Sequence, residues 1–118
     1  MGKLTPKFKG DAFDITINIP EDITNWKIRC EIYDDTTNRV QLATANSGGA
    51  TSQIEVTEIS STLSTFIIHV ANDLTTDFDD KSHIEIQVET DDSPSKIYTT
   101  MQADLELHDR KISWSEPE

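Results

Sequence analysis

Between Gly10 and Tyr33 the chain alternates twice between apolar and polar positions. Phe13, Ile15, Ile17 and Ile19 form one set, and Trp26, Ile28, Cys30 and Ile32 form the other. A period of two puts every second side chain on one face of an extended strand. The two runs are joined by a short polar link, Pro20 to Asn25, in which Ile23 is expected to turn inward. Two such strands in close succession predict an antiparallel, all-β domain.

The same pattern continues downstream. Asp34 to Asn38 is dense in turn formers, and Arg39 to Ala45 follows as a third strand with Val40, Leu42 and Thr44 on one face. Asn46 to Ser52 is a loop of small residues. It lacks the Lys-Ser/Thr and the helix of a phosphate loop. Gln53 to Ile59 reads as a short strand carrying Ile54 and Val56, and Ser60 to Ser64 as a turn. Thr65 to Ala71 turns Phe66, Ile68 and Val70 one way, Ile67 and His69 the other. Asn72 to Ser82 is a long acidic crossover, where the four-residue spacing of Leu74 and Phe78 suits one helical turn. His83 to Thr90 points Ile84, Ile86 and Val88 inward. After the Asp91 to Ser95 turn, Lys96 to His108 is the longest strand, with Met101, Ala103, Leu105 and Leu107 on one face.

These runs predict a β-sandwich of seven to eight strands over residues 10–108, although a barrel fits the same pattern. Residues 1–9 read as an N-terminal arm or edge strand, because Pro6 suits only an edge. Residues 109–118 read as a polar C-terminal tail interrupted by Ile112 and Trp114. At 118 residues the chain suffices for one core without a disulfide or a metal.

Charge narrows the partners. The chain carries 22 acidic and 10 basic residues, a net charge of −12. Such a surface repels phosphate backbones and anionic lipid, so neither nucleic acid nor a membrane is an expected partner. Solubility is a sufficient reason for the charge, and cation binding is a second. The start MGKLTPKFKG has no apolar core of a secretory signal, and no run reaches the ~20 apolar residues of a spanning helix. The expectation is a chain that folds without export by that route.

Reactive chemistry is sparse. Cys30 is the one cysteine and falls in phase with the buried set, as a small hydrophobe would. His69, His83 and His108 show no zinc spacing, and no serine sits in a GxSxG elbow. No cofactor is implied. The aspartates, however, come in clumps. In an immunoglobulin-like strand order, Asp34 and Asp35 would meet Asp77, Asp79 and Asp80 at one end, a set of hard oxygens able to hold calcium. Turn chemistry explains these aspartates as well. The two ends of the chain are candidates for partner binding. Lys3, Lys7 and Lys9 make a basic arm on an acidic molecule. Ile112 and Trp114 are apolar residues outside the strand pattern, and exposed tryptophan is a common interface anchor.

The stretch Gly10-Asp11, Phe13, the alternating isoleucines, then Asp22-Ile23-Thr24-Asn25-Trp26 and Ile28-Arg29 resembles small immunoglobulin-like proteins of tailed-phage and prophage morphogenesis clusters. It is also similar to the N-terminal domain of phage baseplate upper proteins. Ala71, Thr75 or Thr76, and Phe78 match a later motif of that group. Asn25 stands where glycine is usual, but asparagine also tolerates a left-handed φ. The resemblance implies an immunoglobulin-like antiparallel β-sandwich without catalysis. It implies a virion structural module such as a tail, baseplate or fibre adaptor, a neck component or a capsid decoration. Its partners would be other virion proteins and further copies of itself, assembled in the host cytoplasm. A carbohydrate-binding or adhesion sandwich is the alternative, with Tyr33, Tyr98 and Trp26 as the aromatics available to stack on sugar.

Overall fold

The structure is a computed structural model and describes residues 2–49 and 53–109. Two short strands, β1 (Gly2–Lys3) and β2 (Lys7–Phe8), precede seven longer ones. These are β3 (Phe13–Ile19), β4 (Lys27–Asp34), β5 (Arg39–Ala43), β6 (Ile54–Glu58), β7 (Ser64–Val70), β8 (Lys81–Glu89) and β9 (Ile97–His108). They form two sheets. The larger runs β1-β9-β8-β4-β5, with β2 also on β9, and the smaller runs β3-β7-β6. Two separate sheets decide for a sandwich over a barrel. If the N-terminal strands are counted as A, β3 to β9 fall as B, C, C′, D, E, F and G. B, E and D make one sheet and G, F, C and C′ the other, which is the immunoglobulin arrangement. Strand A lies on G: both N-terminal strands pair with β9 in parallel.

The alternation seen in the chain is the alternation of burial. On the large sheet Ile28, Ile32, Ile84, Ile86, Leu105 and Leu107 point inward; on the small sheet Ile15, Ile54, Phe66, Ile68 and Val70 meet them. Each fully buried residue of this size contributes about 1.5–3 kcal/mol. Cys30 joins them at 2% exposure, and Ile23 tucks in from the β3–β4 link. The pattern overstates burial where the facing sheet covers a strand incompletely. Phe13, Ile17, Trp26 and Met101 only pack partly against the core, and Val56, although mid-strand in β6, is exposed. The crossover holds no helix. It is a run of turns closed by Leu74 N–H to Ala71 C=O and Phe78 N–H to Thr75 C=O.

One buried contact ties the start of the domain to this crossover. The Gly10 amide donates to the Thr75 hydroxyl at 2.9 Å, and the Asp73 amide donates to the Gly10 carbonyl at 2.9 Å. Gly10 holds a φ of 80°, which favours glycine. Asn25 holds a φ of 62°, as its place in the link requires. Among the described residues, every buried side-chain polar atom has a hydrogen-bond partner.

Candidate functional site

The five aspartates proposed from the chain do gather at one end, but mainly to lock two loops together. The Asp34 side chain is buried and accepts from the Thr36 amide and hydroxyl, the Asn38 amide and side chain, and the Asp79 amide. Asn38 also donates to the Asp77 carbonyl at 2.8 Å. Burial would raise the pKa of Asp34, but the donors from Thr36, Asn38 and Asp79 outweigh it and hold the carboxyl well below its ordinary range. Asp35 lies 3.1 Å from His83, and Asp80 pairs with Lys9 at 2.8 Å. The lone pairs that calcium would take at Asp34 are therefore engaged by the chain's own N–H and O–H groups. Among the described residues, no group of three or more His, Cys, Asp or Glu side chains is placed to hold a metal ion.

The basic arm is laid along its own chain. Leu4 donates to the Asp104 carbonyl and Lys9 to the His108 carbonyl. The Lys9 ammonium sits between Asp80 and Asp109, and the hydrogen bonds to them raise its pKa. The Lys7 ammonium lies 5.4 Å from the centre of the Phe13 ring. The Lys3 side chain, Ile112 and Trp114 lie outside the described side chains and residues.

Groups with reactive potential are held in structural roles. Burial pushes the Cys30 thiol up to about 12, so it carries no useful thiolate near neutral pH. His69 bridges three strands on the outer face of the small sheet. Its Nδ1 is 2.8 Å from Asp14 and its Nε2 is 3.1 Å from Glu55. Those two contacts raise its pKa.

The described residues form an apolar recess on the surface. A groove of about 400 Å³ runs beside β6, walled by Ile23, Trp26, Ile54, Val56 and Ile59 with Asn46 and Glu55 at its polar margin. Val56 is 37% exposed and Ile59 46%. The wall exists because β6 belongs to the three-stranded sheet while Trp26 enters from the link before β4. Among the described residues, strand β6 pairs with β7 on one side only, so no described strand covers its other edge. The sequence marked Ile54 and Val56 as strand residues. It could not show that the sheet stops at β6. A second open edge is the start of β9, where Ile97 and Tyr98 are exposed and no described strand covers them.

A polar hollow of about 520 Å³ lies on the outer face of the large sheet, bordered by Arg29, Glu31, Gln41, Gln53, Glu85 and Gln87. Many of its groups pair with each other. Arg29 donates to Ser47 at 2.8 Å, Gln41 to Glu31 at 2.9 Å, and Gln87 to Glu85 at 3.1 Å. The aromatics named for sugar stacking do not border it. Tyr33 pairs in register with His83 at one end of β4, whereas Tyr98 pairs with Val88, which is opposite Ile28 at the other end.

No family model matches the chain, and no curated protein does. Among solved structures, the chain is similar to the Ig1 domain of mouse SynCAM 2. The identity is 10%, the match covers 89% of this chain and 91% of that one, and the TM-score is 0.38. A likeness this loose says nothing of ligands or partners.

Proposed function

We propose that this protein is a non-catalytic β-sandwich that works by binding other proteins, as a structural module of a phage or prophage virion. The observation that carries protein binding is the open edge of β6 beside an apolar groove. Open strand edges accept an extended segment through main-chain hydrogen bonds, and adjacent pockets take its side chains. The engaged states of Asp34, His69 and Cys30 favour binding over catalysis. The virion setting is supported by the Gly10–Trp26 resemblance. Two of its motif stretches, at Gly10 and at Thr75, are in direct contact here. The partners on this reading are other virion proteins and further copies of the chain, met in the host cytoplasm during assembly. Mass spectrometry of density-purified particles from cells carrying the gene is the test. A fixed copy number of the chain per particle is the expected result, and its absence from particles would sink the virion role.

Carbohydrate binding is a second reading, favoured by the amide- and carboxylate-rich hollow around Gln41 and Gln87. Its aromatic-free border argues for weaker, purely polar contacts. A glycan array answers it: saturable binding that is lost in Gln41→Ala supports this reading, and a blank array removes it.

A further inference from the structure

We propose that the groove beside β6 receives residues 110–114 of a second copy of this chain, added as a strand along the open edge. The inference deepens the assembly reading, on which its biological setting rests.

Three observations converge. First, the groove pairs apolar walls with a strand edge that no described strand covers, the combination that accepts an extended peptide. Second, the segment Arg110-Lys111-Ile112-Ser113-Trp114 has the complementary composition. Its two apolar residues are two positions apart, so an extended chain presents both on one face. Its basic pair matches Glu58 on β6, beyond Glu55, whose carboxylate already faces His69. Third, a chain cannot serve its own groove. In the sheet register, Leu105 lies level with Ser82 and Asp34, whereas Lys27, next to Trp26, lies at the far end of β4. From the level of Lys27 to that of Asp34, and on from Leu105 to Asp109, is about 36 Å at about 3.3 Å per residue. Trp114 stands five residues beyond Asp109, a reach of at most about 18 Å. The occupant is therefore another copy's segment. Because the donor and acceptor surfaces differ, the contact is head-to-tail, and repetition closes it into a ring or extends it into a filament.

Sedimentation velocity on the purified chain tests this. The full chain is expected to form species above its 13.3 kDa monomer mass as concentration rises. Truncation after Asp109 removes the donor, and Ile59→Arg blocks the acceptor at an exposed position. Each variant alone is expected to be monomeric. Mixed, they are expected to give a one-to-one dimer and nothing larger, since each retains the half that the other lacks. Circular dichroism melts confirm folding, and Trp114→Ala repeats the donor test with one side chain. A monomeric full chain, association that survives the truncation, or a mixture that yields no dimer overturns the proposal. A full chain that is monomeric yet present in particles sinks the tail-to-groove contact alone. Tail-to-groove association by a chain missing from particles sinks the virion role alone.

Discussion

Asp34 shows how one carboxylate organises a whole end of the sandwich. It gathers donors from the β4–β5 turn and from the crossover, and so holds apart-in-sequence loops in register. Its folded pKa is depressed, so its contribution is complete above the ordinary carboxylate value of about 3.9 and falls away as the pH drops toward the folded value. Asp34→Asn is expected to melt lower at neutral pH and to lose less stability than the parent between about pH 4 and pH 2. Thermal melts across that window check both halves. His69 has the opposite sign. Its folded pKa is raised by the two carboxylates that face it, Asp14 and Glu55. Its contribution is whole below the unfolded value of about 6.5 and is lost as the pH rises through the folded value. An NMR titration of His69 is expected to show a midpoint above about 6.5, moved downward in Asp14→Asn. A midpoint that ignores Asp14→Asn would mean that the contact does not persist in solution.

At the scale of elements, the N-terminal strands and the crossover depend on each other. Thr75 is fully buried and its hydroxyl oxygen accepts from the Gly10 amide, where the chain turns from β2 into β3. Thr75→Val keeps the shape but strands that amide, and should cost about 1–3 kcal/mol in denaturant unfolding. Deleting residues 2–9 is a larger change. It strips β1 and β2 from β9 and removes Lys9 from between Asp80 and Asp109. The expected result is a lower melting temperature with turbidity on heating, because β9 then presents a long unpaired edge. A truncated chain that melts like the parent, without turbidity, would show that the two strands merely rest there. The sequence placed these residues as an arm or an edge strand. Their parallel partner at the opposite end of the chain carries no local signal, so it was visible only in the structure.

For the whole molecule, the strands and the all-β class were legible because a half-buried strand writes its two faces into alternate residues, and the immunoglobulin-like arrangement came from the Gly10–Trp26 resemblance. Ile15, Ile28, Ile84 and Leu105 needed nothing else. Parts of that pattern misled, since burial depends on what the facing sheet covers. Trp26 and Val56 carry the core's chemistry and line a groove instead. The convergence of Asp34, Asp77 and Asp79 followed from strand order, but the Asp79 amide's bond to the Asp34 carboxylate and the Asn38 bond to the Asp77 carbonyl did not. Residue type alone does not say whether an aspartate's oxygens are already taken. The groove was the least legible feature. It arises where a three-stranded sheet stops short of a larger one, and sheet width is not written locally.

The unequal reach of those sheets has one more consequence. From Asp91 to Thr100 every residue is exposed, so the β8–β9 hairpin ends in the open, at the opposite end of β8 from the residues that pair with Asp34. That makes it a natural place to carry cargo. A peptide epitope inserted between Asp91 and Asp92 should leave the melting temperature within a few degrees of the parent's, since loop closure costs only about 0.6 kcal/mol for each doubling in length. An antibody against the epitope should then bind the native protein, and, on the proposed virion reading, every copy in a particle would display it outward or bury it. Which of the two occurs would report how the module is oriented in its assembly.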